Sequence, residues 1–222
     1  KKMFFEVAYD NDIMITMIAG NHDTYFKNTN DVNSVDLLLK EYKNIFVIDK
    51  PQTVGLFYPA TDNLVCMIPW ICPENETESM DMLTNAQADL CMGHFEIAGF
   101  EMDRGNVCDS GIDKVSLNKY DVVLTGHFHH KSTNGNITYV GTPYEMTWAD
   151  YNDPKGFHIF DTETRDMAFI QNPHRMFHKV IYDDAKTDFE HWKSYDFNSL
   201  KETYVKVVVL NKQNPYLFDH VI

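Results

Sequence analysis

The sequence has no apolar run near the roughly 20 residues needed to cross a bilayer. Its longest candidate, from Ile13 to Gly20, has the length of a strand, so no membrane association is expected. It opens on Lys1-Lys2-Met3-Phe4-Phe5, with neither an initiating methionine nor a signal-peptide pattern; the natural N-terminus is expected upstream. Cysteine is scarce: Cys66, Cys72, Cys91 and Cys108 show no CxxC spacing, and three of them sit in or beside apolar, strand-like segments. That usage fits buried thiols in a reducing cytoplasm. Positive charge is also short, with 19 Lys and Arg against 33 Asp and Glu and a formal net charge of −14. This is the wrong sign for a module that coats nucleic acid by bulk electrostatics. An enzyme escapes that exclusion, because divalent metals bring positive charge to a scissile phosphate and a partner can hold the other phosphates. Repeats and low-complexity tracts are missing, and the Asn75-Glu76-Thr77 and Asn136-Ile137-Thr138 sequons carry no weight without evidence of secretion.

What is present is a chain of 222 residues, 44% hydrophobic, enough for one substantial core and the start of a smaller module. Apolar runs of strand length alternate with helical stretches. Phe4 to Tyr9 reads as helix, Ile13 to Ala19 as a buried strand ending at Gly20, Val35 to Tyr42 as helix and Ile45 to Ile48 as strand. Leu64 to Ile68, Leu90 to Met92 and Val122 to Leu124 are further strands, and each of the last two runs into Gly-His. Ligand sites of open α/β sheets lie just beyond the carboxyl ends of strands. Farther on, Gly156 to Asp161 and Met167 to Ile170 read as a hairpin turning at Asp161-Thr162-Glu163-Thr164. Phe177 to Tyr182, Asp188 to Lys193 and Tyr204 to Leu210 read as strand, helix and strand, the βαβ-like beginning of a second module after a boundary near Pro173 to Met176.

Three motifs share one layout, a strand and then a tight turn with metal-type side chains. In Gly20-Asn21-His22-Asp23 the glycine permits the turn, Asn21 offers an amide oxygen, His22 an imidazole, and Asp23 a carboxylate able to orient that imidazole. Gly93-His94-Phe95-Glu96 and Gly126-His127-Phe128-His129-His130 follow. Histidines two apart in an extended segment point the same way, so His127 and His129 can face one cluster while His130 points elsewhere. A lone histidine is more often a satisfied structural group than a ligand, and His158, His174, His178, His191 and His220 stay with that reading. Gly-Asn-His-Asp alone can be an ordinary turn. All three motifs in this order, each after a buried-looking strand, favour metal chemistry.

Their order resembles that of the calcineurin-like metallophosphoesterases, within them the SbcD-type nucleases, and in particular the recombination endonuclease subunits of T4-like phages. Further echoes are Ile68-Pro69-Trp70, Gly99-Phe100, Thr125-Gly126-His127-Phe128-His129, Val140-Gly141-Thr142-Pro143 and Asn152-Asp153-Pro154-Lys155-Gly156-Phe157. The resemblance implies an α/β fold: a metallophosphoesterase-type β-sandwich flanked by helices, in four layers α/β/β/α, over residues 1–174, with the start of a small α+β capping, DNA-recognition domain over residues 175–222. It implies two divalent cations, Mn²⁺ foremost with Mg²⁺, Zn²⁺ or Fe²⁺ as alternatives, with Asn21, His94 and His127 on one and His129 on the other. His22 becomes the catalytic histidine, with Asp23 beside it. The family's earlier motifs, Asp-x-His and Gly-Asp-x-x-Asp, are not found before Gly20, so the sequence as it stands is expected to be inactive and to bind its second metal weakly. The implied activity is endonucleolytic or exonucleolytic cleavage of DNA, at double-stranded ends and in single strands, within an SbcCD-type repair and recombination complex, phage-encoded and active in the host cytoplasm. The implied partners are an SbcC-type ABC coiled-coil ATPase and a second copy of the nuclease. The rival expectations are another metallophosphoesterase acting on nucleotides or phosphoproteins, and a noncatalytic scaffold for the ATPase.

Overall fold

A computed structural model describes residues 1–55, 64–103 and 105–221; residues 56–63, 104 and 222, which the expected domain ranges include, lie outside it. The chain divides into two compact units, Lys1–Gly141 with Phe157–Phe169, and Thr142–Gly156 with Ile170–Ile222.

The first unit is built on a six-stranded sheet. Gln52–Gly55 (β3), Leu64–Ile68 (β4), Leu90–Gly93 (β5), Val122–Thr125 (β8), Ile137–Tyr139 (β10) and Ser132–Asn134 (β9) lie in that order. The four middle strands run parallel and the two edge strands antiparallel to their neighbours. Alternate residues of the middle strands go to opposite cores, as a period of two requires. Cys66, Ile68, Cys91 and Val123 enter one cluster with Leu83 and Leu117. Val65, Met67 and Leu90 enter another with Ile18 and Ile48. Burial on both faces explains why these strands read as continuous apolar runs.

Ile18 and Ile48 belong to a separate parallel pair, Ile15–Ile18 (β1) and Ile45–Ile48 (β2). Phe5–Asp10 (α1) leads into this pair, and Ser34–Leu39 (α2) lies between its strands. The side chain of Asn33 caps α2 by accepting from Asp36 N–H. That helix ends at Leu39, short of the expected Tyr42. Glu76–Asn85 (α3) packs Leu83 and its neighbours Met80 and Met82 on the other face of the large sheet. A small hairpin, Glu101–Asp103 (β6) with Asn106–Val107 (β7), follows. Gly156–Phe160 (β11) and Met167–Gln171 (β12) form the expected second hairpin. Asp161 Oδ1 accepts the Glu163 and Thr164 N–H groups in its turn, which exits through Arg165 at φ 66°. The result is a mixed α/β architecture with a mainly parallel central sheet.

In the second unit Phe177–Asp183 (β13) and Tyr204–Asn211 (β14) pair in parallel. Phe189–Ser194 (α4) crosses between them and buries Trp192 against Val180 and Tyr182, and Pro215–Val221 (α5) closes the unit. The βαβ reading of this segment holds. Lys155 and Asp153 of the Asn152 to Phe157 echo form a buried ion triad with Asp150, Lys155 Nζ lying 2.8 Å from both Asp150 Oδ1 and Asp153 Oδ2. Nearby, Glu145 is 3% exposed and accepts the backbone N–H groups of Met176 and Phe177 and the Arg175 guanidinium. All four cysteines are buried free thiols, and no helix among the described residues is long and apolar enough to cross a membrane.

Candidate functional site

Four strands of the first unit end side by side, and the three motifs follow three of them. Backbone hydrogen bonds lock the exits: Trp70 N–H donates to Ala19 O, His94 N–H to Ile68 O, and Gly126 N–H to Gly93 O. Asn21, His94 and His127, distant in sequence, therefore meet. His94 Nε2 lies 3.0 Å from Asn21 Oδ1 and 3.1 Å from His127 Nδ1. His127 Nε2 lies 2.9 Å from Glu96 Oε1. A consistent proton assignment puts one hydrogen on His94 Nε2, shared between Asn21 Oδ1 and His127 Nδ1, and another on His127 Nε2 for Glu96.

Both rings are kept neutral. Burial, reinforced by His127 and His22, lowers the His94 pKa to about 4. Burial also lowers that of His127, against the opposing pull of Glu96. Neutral imidazole is the form that ligates a cation. Ligands at right angles around a cation at about 2.1 Å stand about 3 Å apart, which matches the two spacings observed. His94 thus stands at a ligand-to-ligand spacing from each of the other two donors. Among the described residues no group of three or more His, Cys, Asp and Glu is arranged to hold a metal ion; the trio depends on the amide of Asn21.

His22 is exposed and acts electrostatically on both His94 and His127. His129 is half-buried and does so on His127. Asp23 differs from its expected task. Its Oδ2 accepts Gly20 N–H at 2.8 Å and its Oδ1 lies 3.5 Å from Ser34 Oγ, so it closes the turn, and among the described residues no hydrogen bond joins it to the His22 ring. A carboxylate three residues after a turn N–H satisfies that N–H more readily than it reaches its neighbour's ring.

The motif glycines also differ in their reason. None of Gly20, Gly93 and Gly126 has positive φ; each makes room. A Cβ at Gly20 would stand 2.8 Å from His94 Cε1, at Gly126 3.2 Å from His94 Nδ1, and at Gly93 2.1 Å from the Phe95 ring. The strained residue is instead His127, at φ 85°, a conformation costing a non-glycine residue about 1–3 kcal/mol and typical of functional sites.

Three supporting residues went unassigned in the sequence. Glu96 orients His127, and its place two residues after His94 in an extended segment, with Phe95 facing the core, was the available signal. Thr125 Oγ1 accepts Phe95 N–H. Tyr139 hydroxyl accepts Ile97 N–H and donates to Phe95 O, while its ring is fully buried. Tyr139→Phe is expected to cost about 1–3 kcal/mol by orphaning those two backbone groups, read as a lowered urea midpoint with unchanged slope.

A mainly parallel α/β sheet with a histidine corner beyond its strand ends is compatible with a metallophosphoesterase-like fold. Sequence similarity points to particular relatives. The chain is 37% identical over 201 residues to exonuclease subunit 1 of Enterobacteria phage T4, covering 90% of this chain and 56% of that protein. It is 27% identical over 108 residues to the SbcD component of the SbcCD nuclease of Staphylococcus epidermidis, covering 43% of this chain and 27% of that protein. The chain is thus homologous to nuclease subunits of the T4 and SbcD types, as its motifs indicated, and it spans about half the length, or less, of these relatives. No family model matches it.

Proposed function

We propose that this chain carries part of the catalytic face of a metal-dependent DNA nuclease subunit, cleaving phosphodiesters as endonuclease or exonuclease in an SbcCD-type repair and recombination complex encoded by a phage. The single observation that carries this reading is the contact chain from Asn21 through His94 to His127. The names of the relatives, an exonuclease subunit and a nuclease subunit, support a nucleic-acid substrate. In this reading Asn21, His94 and His127 hold one divalent cation, Mn²⁺ foremost, and His129 contributes to a second. Such cations activate water and neutralise charge on the phosphate. Glu96 holds the His127 ring, and exposed His22 supplies a proton to the departing sugar oxygen. The proposal includes the four-layer sandwich, the capping role of residues 175–222, a cytoplasmic setting, an SbcC-type ATPase partner, a homodimer, and double-stranded ends and single strands as substrates.

Titrating Mn²⁺ into the chain by calorimetry tests the site. One cation is expected to bind, and His94→Ala or His127→Ala to weaken it at least about tenfold. Absence of binding, or a trio substitution without effect, overturns the assignment. One observation favours a second reading, a noncatalytic scaffold: among the described residues no three His, Cys, Asp or Glu side chains are arranged to hold a metal ion. Undetectable metal binding supports that reading.

A further inference from the structure

Beside the histidine corner, still within the first unit, lies a cavity of about 430 Å³ whose walls come from the segments that follow β4 and β5, from α3 and from residues 111–116. Trp70, Ile71, Met80 and Ile112 give it apolar sides. Its polar lining residues are the acidic Glu76, Glu96 and Asp113 together with His94 and Ser116, and no Lys or Arg is among them. Such a lining repels phosphate and accepts hydrogen bonds from N–H groups. The volume exceeds that of one flat heteroaromatic ring system, and clefts of this size beyond parallel strand ends are where α/β proteins take ligands.

The walls are held in place. Trp70 N–H donates to Ala19 O at 2.8 Å, and Trp70 O accepts the side-chain amides of Asn30 and Asn75 at 2.9 and 3.1 Å. Opposite, Ile112 N–H donates to Glu96 O and Ala98 N–H to Ile112 O. Gly111 sits at φ 97°, and a Cβ there would come 2.5 Å from Glu96 O. A lysine stands by the tryptophan without lining the cavity. Lys27 Nζ stands 5.8 Å from the Trp70 ring centroid and 3.2 Å from Asn21 O.

We propose that this cavity is a nucleobase subsite that takes one unstacked base bearing an exocyclic amino group. Adenine, cytosine or guanine stacks on Trp70 and turns its N–H edge to Glu76 and Asp113, while Lys27 meets the backbone phosphate outside. Thymine fits poorly, because its only ring N–H is flanked by two carbonyls that the carboxylates repel. The inference deepens the nuclease reading and rests on it. It gives the chain a preference for the nucleotide beside the cleaved bond, which neither metal ligands nor phosphate contacts can supply.

The test titrates the four 2′-deoxynucleosides, uncharged so that Lys27 adds little, into the metal-free chain, followed by calorimetry and saturation-transfer NMR. Deoxyadenosine, deoxycytidine and deoxyguanosine are expected to bind at least about fivefold more tightly than thymidine. Trp70→Leu is expected to weaken all of them about tenfold, the range of base–aromatic stacking, and Trp70→Phe to restore much of the loss. The double variant E76Q/D113N is expected to bind but no longer discriminate. Thymidine binding as tightly as the others, no nucleoside binding up to solubility, or a folded Trp70→Leu variant with unaltered affinity each overturns the proposal. Mn²⁺ titration of the same samples separates the two readings. Nucleoside binding in the stated order without metal binding sinks the nuclease site alone, whereas metal binding without that order sinks the subsite alone.

Discussion

Lys155→Met is expected to destabilise the second compact unit by about 3–5 kcal/mol, the cost of leaving buried charge without its partner. The lysine side chain is 3% exposed and its ammonium touches Asp150 and Asp153, themselves 4% and 7% exposed at the side chain. Methionine matches its length and leaves two carboxylates in a dry site. Asp150 then keeps the N–H groups of Met146 and Thr147 but loses the ammonium that stood 2.8 Å away. Urea denaturation followed by near-ultraviolet absorbance of the unit's aromatic residues measures the loss. A change under about 1 kcal/mol, the range of an exposed ion pair, would show that the triad is solvated.

The same triad sets a pH dependence. Burial alone would raise the Asp150 pKa, but Lys155 and the Thr147 and Met146 N–H groups outweigh it and hold the folded value below the ordinary one. A depressed folded pKa means stability that is complete above the unfolded value, near 3.9, and is lost as pH falls through the folded one. The deficit of Lys155→Met is therefore expected to be full at neutral pH and to shrink below about pH 4, where both states of the aspartate take up protons.

Gly20→Ala is expected to reduce Mn²⁺ affinity about 10–100-fold, the effect typical of losing a ligand's support, while the melting temperature changes little. The added methyl carbon would stand 2.8 Å from His94 Cε1, and Gly126 closes on the Nδ1 side of the same ring. The ring cannot give way on either side without leaving Asn21 Oδ1 or His127 Nδ1. Gly135→Ala is the contrasting substitution. It meets nothing within 4 Å but sits at φ 62°, so it is expected to cost about 1 kcal/mol of backbone strain and to leave metal affinity untouched. Equal effects of the two substitutions on metal affinity would remove the clearance argument.

Much of the sheet was legible because its strands are buried on both faces. Ile45–Ile48 and Leu64–Ile68 form with the bounds their apolar runs suggested, and β5 and β8 extend their expected ranges by one residue each. Helix α3 was not foreseen. Its buried stripe is only Ser79 and Leu83, with Met80 and Met82 half-covered, too narrow for a clear helical period. Edge strands β3 and β9, and β10 beside the edge, were hidden for a related reason: three or four residues bounded by polar ones leave little pattern to read.

By itself the sequence determined the kinds of chemistry available: which side chains could ligate, and that they follow buried strands, since hydrophobic runs and turn residues act over a few neighbours. Only the tertiary structure decided which of them touch. Asn21 and His94 are 73 residues apart and His94 and His127 33 apart. Their meeting depends on strand order and register, which are set by packing across the whole sheet. The same packing gave Glu96 its hold on His127, left Asp23 to close a turn, and made three glycines into clearance for rings. None of these is a property of a local segment, because each is a distance between atoms that the chain brings together only when its core has formed.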